Sequence, residues 1–159
     1  MIDYLQILAP YDMRATDKQN TDKAVLELKR ISRDHKIPVF GISSFNRDNY
    51  TAPVNMASFK ESGAIEYSSD VLMGLQYEGM DYSEGETDGN RQKRIRKLVK
   101  DNEQAARKGE GVEIQLQILK NRNGGKGVSD PLTFYPMFNI FQEHPEGFTA
   151  VKTEKERWV

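Results

Sequence analysis

The sequence predicts an α/β domain with a mostly parallel sheet and an antiparallel C-terminal hairpin. Three observations predict it. Short apolar runs alternate with amphipathic stretches of helical period, in the order strand, helix, strand, helix, strand. The runs at 39–42 and 71–75 are short and apolar, the kind of strand that a crossover helix covers. Near the C-terminus an alternating run, a glycine-rich turn and a second apolar run read as a hairpin.

The elements follow in chain order. Residues 1–8 read as a strand running into a loop, and 9–19 as that polar loop with Pro10 inside it. A helix is predicted from about Asp17 to Lys36, because Ala24, Leu28 and Ile31 recur at i, i+4 and i+7 with Val25 beside them. Lys23, Glu27, Lys29, Arg30 and Arg33 fall mostly on its other side, and Pro38 is its predicted stop. Val39 to Ile42 is a short buried-type strand, and Ser43 to Asn55 a loop. Ser58 to Ser69 reads as a short helix, with Ser58 as cap and Glu61 completing a capping box. After the strand from Val71, the acidic, glycine-containing stretch Glu78 to Asn90 is expected to be mobile. Arg91 to Lys108 is a basic amphipathic helix with Ile95, Leu98 and Val99 inward. Val112, Ile114, Leu116 and Ile118 alternate as one face of a strand, 123–127 is the turn, and Leu132 to Tyr135 the return. The residues after Phe141 show no clear period.

Composition narrows the function classes. The 159 residues are 37% hydrophobic and 30% charged, which suits one domain with a modest core. Lys plus Arg number 23 and Asp plus Glu 24, so the net charge of −1 gives no bulk attraction for nucleic acid, and any such contact must be local. There is no Cys, which excludes disulfides and thiolate metal sites. No apolar run reaches the ~20 residues of a membrane span. The expectation is a cytoplasmic protein with no membrane partner. His35 and His144 stand alone and receive no role.

Four stretches in order carry a family resemblance. Ile2-Asp3-Tyr4-Leu5-Gln6 is similar to the Walker B strand of DnaB-type replicative helicases, I-D-Y-L-Q. Ile42-Ser43-Ser44-Phe45-Asn46-Arg47 resembles the family's L-S-Q-L-N-R. Ser58 to Glu66, followed by Asp70-Val71, resembles D-L-R-E-S-G-S-I-E with its trailing A-D-V. Leu119-Lys120-Asn121-Arg122-Asn123-Gly124 is similar to A-K-Q-R-N-G. The resemblance spans roughly Ile2 to Phe134 and implies a partial RecA-like P-loop NTPase fold. Residues 1–141 are then the C-terminal part of a helicase core, with a longer charged insert at 78–111, and 142–159 a tail.

The resemblance implies a role for each matching residue. Asp3, at a strand end, would hold the Mg²⁺ that bridges nucleotide phosphates, since a carboxylate is the hard donor this ion takes. Ser44 stands where the family has a Gln that senses the γ-phosphate. Its hydroxyl is two heavy atoms shorter, so it reads equally as a solvated serine after a strand. Lys60, Glu61 and Gly63 match the loop that holds single-stranded DNA; by pattern alone they are the start of a capped helix. Lys replaces the family's Arg there and loses its bidentate fork. Lys120 and Arg122 match a pair that reaches into a neighbouring subunit's ATP site as an arginine finger, worth ~10³ or more in rate. The basic run from Arg91 to Lys100 could meet phosphate or form a solvated face.

No G-x-x-x-x-G-K-[S/T] stretch occurs in the sequence, and the family's catalytic Glu has no match. The expectation is therefore a sheet without its phosphate-loop strand, truncated before the Walker B strand. Its exposed edges would favour self-association or joining a helicase ring. The parental family uses ATP and Mg²⁺; this chain alone is expected to bind neither tightly and to hydrolyse little ATP. One reading is part of an ATP-dependent 5′→3′ DNA helicase. The other is a non-catalytic truncated paralogue that binds single-stranded DNA, weakly as one copy, or a helicase ring.

Overall fold

A computed structural model describes residues 1–8, 12, 14–46, 50–59, 63–129, 131–144 and 152–153. Helix α1 runs Asp17–His35. It starts where Thr16 and Gln19 cap each other: the Thr16 Oγ1 accepts from the Gln19 N–H, and the Gln19 Oε1 from the Thr16 N–H. The turn at its end is made by Lys36, whose φ of 53° is left-handed, before Pro38 is reached. Ala24 and Val25 are buried, Leu28 is half-buried, and Ile31 stays at the surface. Val25 packs with Leu5, Ile65 and Leu72 in one core cluster.

Residues 56–58 form a 3₁₀ turn, in place of the predicted helix start. Ser58 is fully buried and its Oγ accepts from the Asn55 N–H at 2.9 Å, so it closes the preceding turn and does not cap a helix. Helix α2 covers Gly63–Ser68. Strand β1 follows at Val71–Tyr77, then helix α3 at Asp88–Arg107 and strand β2 at Val112–Asn121. The return from the glycine turn is split into β3 (Gly127–Val128) and β4 (Leu132–Tyr135). Ser129 sits at the split, exchanging bonds with both the N–H and the C=O of Leu116. The tail adds β5 (Ile140–Glu143) and β6 (Lys152–Thr153).

The sheet corrects the predicted mostly parallel topology. Its path is β5-β4-β2-β3-β6 with β1 also on β2, and every strand pair is antiparallel. Among the described residues, parallel pairing survives only as a bridge between Ile2 and Gly41, held by Ile2 N–H to Phe40 C=O and Ile42 N–H to Ile2 C=O. The physical reason is length. The N-terminal segment curls into a 3₁₀ turn at Leu5–Ile7, which sends Leu5 into the core, so too few residues remain extended to build a ladder. β2, ten residues long, is the hub instead, and its register puts Ile114, Leu116 and Ile118 on one face as expected.

The acidic segment between β1 and α3 is tied down rather than loose. Arg94 bonds Glu86 through two nitrogens and also reaches the carbonyls of Gly79 and Asp81. The Asp81 carboxylate accepts from the side-chain amides of Gln76, Gln115 and Gln117 at 2.9, 3.1 and 3.3 Å. Met80 is buried under this network. Gly74 lets the 51–55 segment lie on β1, because a Cβ there would stand 2.6 Å from Val54. The Val54 N–H also donates to the Gln76 Oε1 at 2.9 Å.

Candidate functional site

The predicted site residues fall in two places. Asp3 and Ser44 lie past the same end of the Ile2–Gly41 parallel pair, the end where ligands collect in open α/β sheets. Both are exposed. The two segments are joined by the Gln6 amide donating to the Ser43 Oγ at 2.9 Å. Neither Asp3 nor Ser44 bonds to Lys120 or Arg122 among the described residues.

Lys120 and Arg122 meet at the far end of β2. The Arg122 guanidinium lies 3.1 Å from the Asp70 carboxylate, and the Arg122 backbone N–H donates to the Asp70 C=O at 2.8 Å. The Lys29 ammonium of α1 reaches the other Asp70 oxygen at 2.5 Å. Lys120 turns back to the end of α2, donating to the carbonyls of Glu66 and Tyr67 at 2.6 and 3.2 Å. A cation at a helix C-terminus satisfies carbonyls that have no partner inside the helix. The two members of the predicted pair therefore do different work here. Lys120 braces α2, while Arg122, half exposed beside a half-exposed carboxylate, is open to exchange. Gly63 opens α2 and is exposed; Lys60 and Glu61 lie outside the described residues.

Sequence pattern alone assigns no role to Asp70 or Lys29. Asp70 is visible inside the third matched stretch, but Lys29 is 41 residues away and carries no signal. The Lys29 hydrogen bond holds the Asp70 carboxyl below its ordinary value. Lys29, Arg122 and Lys120 add favourable charge against some desolvation. A folded pKa below the unfolded one means stability that is present above about pH 3.8 and lost as pH falls through the lower folded value. Asp70→Asn should thus cost about 0.2–1 kcal/mol at neutral pH, the range for exposed pairs. The difference from the parent in thermal unfolding should vanish well below pH 3.8. A gap that persists in acid would assign the loss to packing.

A family model described as DnaB-like helicase C terminal domain matches residues 1–143. The chain is 28% identical over 145 residues to the replicative DNA helicase DnaC of Bacillus subtilis (strain 168), covering 89% of this chain and 27% of that protein. It is 26% identical over 92 residues to a probable replicative DNA helicase of Trieres chinensis, covering 55% of this chain and 20% of that one. The chain thus spans about a quarter or less of these relatives. Two solved structures share the fold. One is a DnaB-like replicative helicase described with its interactions with primase, at TM-score 0.60, 22% identity and coverage of 89% of this chain and 30% of that one. The other is a structure described as an ATPase domain, at TM-score 0.61, 20% identity and coverage of 90% and 43%.

Proposed function

Because the chain belongs to the DnaB-like helicase C-terminal domain family, we propose that it is part of the motor of an ATP-dependent replicative helicase. Such a motor unwinds DNA 5′→3′ as a ring in the cytoplasm. The observation that carries this reading is Arg122: a guanidinium at a strand end, held in place by its own backbone bond to Asp70 yet half exposed. That is the geometry a finger acting on a neighbouring subunit's nucleotide requires. Lys120 is the positioning residue beside it, fixing α2 to the strand that carries Arg122.

Asp3 offers a single hard oxygen donor, and among the described residues no group of three or more metal-type ligands exists. Mg²⁺ is often held by one or two carboxylates with phosphates and water, so Asp3 fits the ion as one ligand beside a bound nucleotide. The ion would supply charge neutralisation at the phosphates. Ser44, past the same strand end, is too short to span to a γ-phosphate as a Gln would, so coupling of hydrolysis to DNA is weakened in this chain. Lys60, Glu61 and Gly63 contact single-stranded DNA in this reading, the Lys by charge and the Gly by close backbone approach.

Ser44, in place of the family's phosphate-sensing Gln, favours a second reading, a non-catalytic paralogue that binds single strands or docks on a helicase ring. Both readings place DNA on the stretch from Lys60 to Gly63. Titration of a labelled oligothymidine with the purified chain should show affinity that falls as salt rises. Lys60→Ala should reduce the salt slope by about 0.7, the value of one single-strand phosphate contact. An unchanged slope would remove the loop from the DNA path.

A further inference from the structure

We propose that the outer face of α3, together with the recess at its N-terminal half, is a second binding track for a single-stranded nucleic acid. It uses residues other than Lys60, Glu61 and Gly63. Lys93, Arg96, Lys97, Lys100 and Arg107 recur at i, i+3, i+4, i+7 and i+14, so they share one side of the helix, and all are exposed. The inward side is Ile95, buried to 2%, with Leu98 and Ala105. The stripe spans about 21 Å at 1.5 Å per residue.

Which of the helix's cations are already spoken for is settled by their partners. Arg94 is held by Glu86, Arg91 by Asp88, and Lys97 by Asp101. Lys93, Arg96, Lys100 and Arg107 have no ion pair among the described residues, although Glu103 borders the stripe. Two carboxylates of the acidic segment before α3 have partners off the stripe: Glu86 pairs with Arg94, and Asp81 accepts from three glutamines. Four exposed cations without an ion pair among the described residues, on one side of one helix, are a local feature on a chain of net charge −1.

The stripe leads at Arg96 into a recess of about 200 Å³ lined by Thr51, Pro53, Tyr82, Arg91, Gln92 and Arg96. That is below the ~300 Å³ of usual small-molecule sites, so it suits one base or sugar-phosphate unit and not a whole nucleotide triphosphate. Tyr82 is 66% exposed, and the Arg91 guanidinium sits 4.4 Å from its ring centroid on one face. A charged track with an aromatic platform is the combination that single strands use, phosphates on the cations and a base on the ring. An acidic peptide would use the cations but has no need of the ring.

This track rests on the proposed DNA role but is tested apart from it. The oligothymidine titration is repeated with Lys93→Ala/Arg96→Ala/Lys100→Ala, with Tyr82→Ala, and with Lys60→Ala. The stripe positions are exposed and alanine favours helix, so circular dichroism should be unchanged. The triple variant should bind at least tenfold more weakly with a salt slope smaller by about 2, from ~0.7 per contact. Tyr82→Ala should weaken binding about fivefold with the slope kept. A triple variant that matches the parent while Lys60→Ala fails would overturn the track and leave the loop standing. Failure of the parent to bind at low salt, or equal competition by polyglutamate, would also overturn it.

Discussion

Arg122→Ala is expected to lower ATP turnover on the order of 10³-fold in a ring that carries this segment. The test is a graft in which residues 2–134 replace the matching stretch of the Bacillus subtilis relative, which it resembles at 28% identity. A guanidinium acts there by meeting charge that develops on the transferred phosphoryl group, with little covalent chemistry of its own. Leaving Asp70 for a phosphate costs Arg122 little, because both are about half exposed, at 52% and 51%. Arg122→Lys should recover only part of the rate, since the planar fork is lost. Lys120→Ala should behave differently, lowering stability first, because it releases two carbonyls at the end of α2. Steady-state turnover with the oligomer size checked by light scattering decides it. An assembled ring whose rate ignores Arg122 would take the finger role away.

Ile95→Ala is expected to cost about 2–5 kcal/mol in urea unfolding, the range for removing a large aliphatic group from a packed core. At 2% exposure Ile95 is the most buried residue of α3, and it also floors the recess beside Arg91 and Arg96. Among the described residues α3 meets the sheet chiefly at β2, so hydrogen exchange across Asp88–Arg107 should rise with the loss of stability. Leu26→Ala offers the contrast. Its side chain is 57% exposed, and its change should fall within about 0.5 kcal/mol. A loss below about 1 kcal/mol at Ile95, short of that core range, would mean that α3 is not docked as described.

Local pattern was a good guide wherever one element's own periodicity settled the matter. The alternation of Val112, Ile114, Leu116 and Ile118 survives in the structure, and so does the α1 spacing at Ala24, Val25 and Leu28, though Ile31 is exposed. Strand direction was not legible, because an apolar run names a strand but not its partner. The parallel segments proved too short to compete with β1 and β2, which share a long antiparallel register. Ser58 shows a different failure. Ser-x-x-Glu is a helix signal by spacing, yet Asn55 three residues earlier claimed the same hydroxyl. Asn139, with φ of 53°, reverses the chain so that the patternless tail pairs as β5. The candidate site drew on two kinds of signal. Matching stretches named Asp3, Ser44, Lys120 and Arg122 as candidates, whereas the Lys29–Asp70 contact beside Arg122 joins elements distant in sequence.

Steady-state ATP turnover, compared between the purified chain and the graft, is the most direct test of a helicase part that works only across a subunit boundary. The chain alone should stay at background with or without single-stranded DNA, because the sequence holds no phosphate-binding loop of the G-x-x-x-x-G-K-[S/T] type. The graft should hydrolyse ATP. DNA-stimulated turnover by the chain alone, or a correctly assembled graft with none, would contradict that assignment.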